Sequence, residues 1–156
     1  MIRVVFVCTG NICRSPSAEA VLARLVEHAG LSDQIAVGSA GTGGWHVGAD
    51  ADPRTLRALR NRGYELRHRA RQFTASWFDE HDLVVALDRS HREDLQAMCP
   101  GAEVHLLREW DPRGPGDVPD PYYGDAADFE EVLDQVERSC QALLEDLRGR
   151  VDQAAS

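Results

Sequence analysis

The sequence predicts an α/β protein with a parallel, doubly wound sheet covered by helices on both faces, and three observations predict it. Four short apolar runs alternate with stretches of helical periodicity. The first run, Ile2 to Val7, is β-branched and almost uninterrupted, as a strand buried on both faces must be. The 156 residues, 43% apolar and 28% charged, have the composition of an ordinary globule with one core. A single domain over residues 1–150 with a frayed tail over 151–156 is expected, without internal repeats.

Ala18, Val21, Leu22, Leu25 and Val26 recur at helical spacing before Gly30, predicting a first helix over 16–29 with Ser15 as cap and Pro16 in its first turn. Glu19, Arg24 and Glu27 fall on its wet face and read as solubilising. A second strand is expected at Ile35 to Ser39, followed by the glycine-rich stretch Ala40 to His46. Its spacing does not fit a dinucleotide fingerprint, so it reads as a place of close backbone approach, with Trp45 at a rim. Asp52-Pro53 opens a second helix carrying Leu56 and Leu59 and stopping at Gly63; Arg54, Arg57, Arg60 and Arg62 read as its solvated face. Trp77 and Phe78 suggest a short turn packed under the sheet. Asp82 to Leu87 is a third strand, with Asp88 as a cap or brace. Ser90 to Glu93 has capping-box spacing before a helix carrying Leu95 and Met98, and Met98 and Cys99 read as core. Glu103 to Leu107 is the fourth strand. A long Pro-, Gly- and Asp-rich loop from Arg108 to Asp125 follows, of a length that usually signals function or disorder. An apolar stripe from Phe129 through Cys140 to Leu147 predicts the last helix, with Cys140 in the core.

Composition removes several classes of function. All 17 basic residues are arginine, so the lysine-bearing nucleotide loop is absent. A formal charge of -9 argues against general nucleic-acid binding. No apolar run is long enough to span a membrane. Four cysteines do not make a disulfide scaffold, and residues 2–7 run straight into the candidate loop, leaving no room for a cleavable leader. A cytoplasmic protein without a membrane partner is expected, export without a signal peptide remaining open. No metal-ligand spacing stands out, so no metal and no cofactor are expected.

Chemistry concentrates in Cys8-Thr9-Gly10-Asn11-Ile12-Cys13-Arg14-Ser15. In a strand, tight loop and helix start, backbone N–H groups converge on one point where the helix adds positive potential, a cradle for a tetrahedral oxyanion. Alone, Cys8 reads as a small buried residue at a strand end. Beside Arg14, whose paired donors match two phosphate oxygens, and Ser15, which offers the sulfur a hydroxyl, it reads as an activated nucleophile. Asn11 suits a left-handed backbone that turns N–H groups inward.

Val7 to Pro16 resembles the signature of the low-molecular-weight protein tyrosine phosphatases, actinobacterial members among them, and the resemblance extends over nearly the whole chain. It implies a three-layer α/β/α fold with strand order 2-1-3-4. It also implies that Ser39 and His68 brace Asn11, and that the Trp45 loop walls the substrate cleft. Asp111, Asp117, Asp120 and Asp125 are all candidates for the acid that phosphoryl transfer to sulfur requires. Asp120-Pro121-Tyr122-Tyr123 resembles the family's second signature, which assigns the role to Asp120.

The implied reaction is attack of Cys8 on phosphotyrosine, protonation of the leaving phenol by Asp120, and hydrolysis of a cysteinyl-phosphate, with Arg14 stabilising both transition states. Phosphotyrosine proteins or peptides are the expected partners and inorganic phosphate the product, from a monomer or weak homo-oligomer. Thr9, Gly10, Asn11, Ile12, Cys13 and Ser15 complete the phosphate loop; Trp45, Tyr122 and Tyr123 wall a slot deep enough to favour aryl phosphates. Ile12 leans away from phosphoarginine, since branches acting on that substrate tend to carry Thr there. The resemblance suggests that Cys13 shields Cys8 through a reversible disulfide, a small filler being the other reading, and that Tyr122 or Tyr123 is a phosphorylation site. Arsenate reduction on the same fold would need further accessible cysteines after the third strand, where only Cys99 lies. A phosphotyrosine-binding module without turnover would lack the thiol or the acid.

Overall fold

The computed structural model describes residues 1–155. Its sheet forms because each strand alternates side chains between two apolar layers. β1 (Ile2–Cys8) lies at the centre, paired in parallel with β2 (Ile35–Gly41) on one side and with β3 (Leu83–Ala86) on the other. β4 (His105–Leu106) adds to the far edge of β3, giving the order β2-β1-β3-β4, all parallel. Val4, Phe6, Cys8, Leu83 and Val85 face a layer made by α1 (Arg14–His28), α2 (Pro53–Asn61) and α5 (Ala126–Ala155). Val5, Val7, Val84 and Ala86 face the opposite layer, where Leu95 of α4 (Arg89–Met98) and the aromatics near α3 (Trp77–Glu80) pack. The fold is three-layered α/β/α. Phe73 meets Phe78 edge-on with ring centroids 5.0 Å apart, which places the expected aromatic cluster under the sheet.

Several boundaries differ from the sequence reading, each for a local reason. α1 begins at Arg14, so Ser15 lies inside its first turn and Cys13 holds the cap position without a side-chain bond. α4 begins at Arg89; Asp88 caps it by accepting from the His91 N–H at 2.9 Å, and the Ser90 box is not used. β4 keeps only two residues, because Leu107 opens a 3-10 turn (Leu107–Trp110) instead of extending the strand. Met98 is exposed and Cys99 half-buried, neither in the core, because α4 buries only His91 and Leu95. α5 runs on to Ala155, so residues 151–155 continue the helix instead of forming a tail; Ser156 lies outside the described residues. Arg62 is not merely solvated: it pairs with Glu130 (2.6 Å), Asp134 (2.9 Å) and Glu137 of α5. Among the described residues no helix is long and apolar enough to cross a membrane.

The parallel arrangement puts the C-terminal ends of β1, β2 and β3 on one edge, where ligands of such sheets bind. Gly41, the last residue of β2, pairs with Cys8, and a Cβ there would lie 2.5 Å from the Thr9 carbonyl oxygen. The glycine is needed for that close approach.

Candidate active site

The loop leaving β1 folds around the Cys8 sulfur. Cys8 is 3% exposed; its Sγ accepts from the Asn11 N–H at 3.3 Å and lies 2.9 Å from Ser15 Oγ. Asn11 holds φ at 57°, the left-handed region that asparagine tolerates better than most residues. Its side chain is locked from both ends. The Arg71 N–H donates to Oδ1 (2.9 Å), which turns Nδ2 to donate to Ser15 Oγ and Ser39 Oγ, each at 2.9 Å. Ser39 then donates to Glu19 Oε1 at 2.5 Å, and His68 Nε2 meets the Asn11 carbonyl at 2.6 Å. A hydrogen-bond chain therefore runs from the Glu19 carboxylate to the sulfur. Ser15 Oγ accepts from Asn11 Nδ2 and lies 2.9 Å from Sγ, against 3.4 Å from the Ala40 carbonyl oxygen. Glu19 is thus a bracing residue and not only part of a wet face. The Asp52 N–H adds a tie from the start of α2 to the Ile12 carbonyl at 2.9 Å.

Arg14 is 6% exposed and fixed from three directions. Its Nη1 donates to Asp88 Oδ2 (2.7 Å) and to the Val118 carbonyl (3.0 Å), while Nη2 lies 3.1 Å from His91 Nε2. Burial and then the Arg14 guanidinium push the His91 imidazole down to about 4. Burial pushes the Cys13 thiol up to about 12, so Cys13 stays protonated at neutral pH; both it and Cys8 are free thiols.

The second loop closes the other side. Asp111, with a fully buried side chain, binds Arg108 (3.0 Å) and Arg138 of α5 (3.1 Å), and the Val118 N–H donates to the Leu87 carbonyl (2.9 Å). Beyond Val118 the chain brings Asp120 Oδ2 to 3.8 Å from Arg14 Nη2. The Asp120 side chain is 55% exposed, more open than an acid shielded by tyrosines. Arg54 donates to the Tyr122 carbonyl at 2.8 Å and stacks over its ring, so Tyr122 is tethered. Tyr123 is 95% exposed.

One cleft of about 300 Å³ gathers these groups: Cys8, Thr9, Gly10, Ile12, Cys13 and Arg14 form its floor, and Trp45, His46, Asp120, Tyr122 and Tyr123 its walls. Asn11, Ser15, Ser39 and His68 stand behind the loop. Sequence reasoning misses His91, because the Ser90 to Glu93 spacing points to a cap that is not used, and it misses Glu19 and the bond from Arg14 to Val118, whose partners lie far away in sequence. Among the described residues no group of three or more His, Cys, Asp or Glu side chains is placed to hold a metal ion.

Fold and site together define an α/β protein built to hold a tetrahedral oxyanion against a thiol. The family model described as low molecular weight phosphotyrosine protein phosphatase matches residues 3–153. A low molecular weight protein-tyrosine-phosphatase of Streptomyces coelicolor is 53% identical, the match covering 99% of this chain and 98% of its own. Low molecular weight protein-tyrosine phosphatase A of Mycobacterium tuberculosis is 49% identical, over 91% of this chain and 89% of its own. The crystal structure of a protein tyrosine phosphatase from Entamoeba histolytica matches with a TM-score of 0.92 at 33% identity, over 96% of this chain and 98% of its own. The chain belongs to the low molecular weight phosphotyrosine protein phosphatase family.

Proposed function

We propose that the chain hydrolyses phosphotyrosine in proteins or peptides, with Cys8 as nucleophile, Arg14 as oxyanion clamp and Asp120 as general acid. The observation that carries this reading is the convergence of Sγ, guanidinium and carboxylate on one cleft, with Arg14 Nη2 only 3.8 Å from Asp120 Oδ2.

In the first step Sγ forms a bond to phosphorus as the bond to the phenolic oxygen breaks, and Asp120 transfers its proton to that oxygen. Loop N–H groups and Arg14 hold the equatorial oxygens, where charge is spread in the transition state. In the second step a water oxygen bonds to phosphorus, its proton passes to Asp120, and the S–P bond breaks to release inorganic phosphate. Cys13 is not the nucleophile, because its buried thiol keeps its proton at neutral pH. The depth of Cys8 beneath Trp45, Tyr122 and Tyr123 selects an aryl ester, which reaches the floor with its ring between aromatic walls. Ile12, on the cleft surface, offers an apolar contact to that ring and no hydroxyl to a guanidino group.

Hydrolysis of p-nitrophenyl phosphate and of a phosphotyrosine peptide tests the reading. Cys8→Ser is expected to lower kcat by on the order of 10⁴-fold or more while still binding orthovanadate. Turnover surviving the substitution would exclude Cys8 as nucleophile.

A further inference from the structure

We propose that His91 is the positioning residue for Arg14: its Nε2 lone pair captures one Nη2 hydrogen and so determines which edge of the guanidinium is presented to phosphate. The inference rests on the reading of Arg14 as the oxyanion clamp. A guanidinium has five N–H donors and no acceptor. Asp88 Oδ2 and the Val118 carbonyl engage both hydrogens of Nη1, at 2.7 and 3.0 Å. Nη2 stands 3.1 Å from His91 Nε2, and because arginine only donates, Nε2 must be the acceptor. The imidazole is therefore neutral, with its proton on Nδ1. Thr9 Oγ1 lies 3.0 Å from the same Nε2.

The remaining donors are the Nε–H and the second Nη2–H. They lie along one edge of the guanidinium and form the fork that fits two oxygens of a phosphate. Among the described residues neither has a hydrogen-bond acceptor, Asp120 Oδ2 being 3.8 Å from Nη2. His91 is well suited to hold this arrangement. It is 1% exposed, and its Nδ1 lies 3.2 Å from Asp88 Oδ1, an oxygen already aligned with the His91 N–H and the Ser90 hydroxyl. That Nδ1 contact is off the line of a hydrogen bond, so the attraction between the Nδ1–H and the Asp88 carboxylate is electrostatic only.

The groups facing the imidazole are Arg14 from α1, Asp88 from the β3–α4 turn, Asp117 and Asp120 from the second loop, and Thr9 from the first. The three carboxylates favour an imidazolium; burial and Arg14 oppose it and prevail, keeping the ring neutral down to about pH 4. Below that, an Nε2–H would replace the acceptor and turn a donor towards the guanidinium.

The test compares wild type, His91→Leu and His91→Gln in kcat/KM for p-nitrophenyl phosphate and in inhibition by orthovanadate. It also reads the ¹⁵N signals of the wild-type imidazole. Leucine removes the acceptor and should lower kcat/KM by about 10- to 100-fold, the effect of a displaced clamp, with vanadate affinity falling in parallel. Glutamine places an amide oxygen near the Nε2 position and should restore most of both. At pH 7 the wild-type spectrum should contain a protonated Nδ1 and a bare Nε2. The proposal is overturned by a leucine variant within about twofold of wild type, by a loss of activity with vanadate affinity unchanged, or by glutamine performing no better than leucine. A proton found on Nε2 overturns it without any variant, even if the leucine protein fails to fold. Wild type that neither turns over nor binds vanadate would instead remove the reading of the whole site.

Discussion

The loop after β1 and the loop before α5 form opposite sides of one cleft, yet they are held in different ways. In the first, Asn11 is 0% exposed, and its side chain and carbonyl reach Ser15, Ser39, Arg71 and His68. In the second, Asp111 and Val118 are anchored to the body, but Asp120 is half in solvent and Tyr123 almost wholly so. Binding and stabilising an oxyanion require donors fixed before the substrate arrives, since reorganisation during the reaction would raise the barrier. A general acid has a looser requirement: it must meet the leaving oxygen only once the aryl group is seated, and catalytic hydrogen bonds are often long beforehand. On the proposed reading, the cup is preorganised and the acid is held more loosely.

The largest effect that tests this division falls on Asp120. Asp120→Asn should lower kcat for a phosphotyrosine peptide by about 10²- to 10³-fold, and for p-nitrophenyl phosphate by less, because the better leaving group needs less protonation. An equal loss on both substrates would mean that Asp120 acts on Arg14 and not on the leaving oxygen. Next comes Asn11, which separates backbone shape from side-chain tethering. Asn11→Gly keeps the φ of 57° without strain, whereas Asn11→Ala adds about 1 kcal/mol of left-handed strain. Both should lose activity by roughly tenfold or more, because both release Ser15 and Ser39. Only the alanine variant should melt markedly lower than the glycine one. A fully active Asn11→Gly would show that loop shape alone suffices.

The sheet is legible in the sequence because the runs of β1 and β3 are buried on both faces and carry almost no polar interruption. The cup and the loop opposite it are legible because Cys8, Arg14 and Asp120 lie in motifs whose chemistry depends on neighbours close in sequence. The long-range partners are harder to find. Glu19 meets Ser39 across 20 positions and His91 meets Arg14 across 77, and neither pairing leaves a periodic or local trace. Glu19 on a helix has the pattern of any solvated glutamate until β2 brings Ser39 against it. Ser15 has two readings, a cap and a hydroxyl for the sulfur. It lies inside α1 with its Oγ 2.9 Å from Sγ, so the sulfur contact holds and the cap that propensity favours does not. The short β4 and the long α5 are decided by packing, which overrides local preference at element ends.

The anchored half of the second loop gives a stability test that leaves the chemistry aside. Burial alone would raise the Asp111 carboxyl, but bonds from Arg138, the Arg113 N–H and Arg108 outweigh it and hold the pKa at about 2, below the ordinary 3.8. A group depressed on folding stabilises above its unfolded value and loses that contribution as pH falls through its folded value. Asp111 should therefore contribute about 2 kcal/mol above pH 4, fading between about pH 4 and pH 2. Denaturant titrations of wild type and Asp111→Asn should differ by that amount at pH 7 and converge in acid. A gap that persisted at pH 2 would place the contribution in packing and not in charge.

The smallest effect is expected at Tyr123, and it separates the two tyrosines of the acid loop. Tyr122 is tethered through its carbonyl to Arg54, whose guanidinium also stacks on Phe129 of α5. Tyr123 touches little beyond the Tyr122 ring, at a centroid distance of 4.9 Å. Removing a side chain that is 95% exposed changes stability by no more than about 0.5 kcal/mol, so Tyr123→Ala should melt with wild type. Its kcat for p-nitrophenyl phosphate should be unchanged, since Asp120 and Arg14 keep their places. KM for a phosphotyrosine peptide should rise by a few-fold, matching the roughly 0.5–1.5 kcal/mol of one aromatic pair that forms only when a ring is seated in the cleft. A fall in kcat on the small substrate would mean that Tyr123 helps to hold Asp120, and the acid loop would then be more preorganised than its exposure implies.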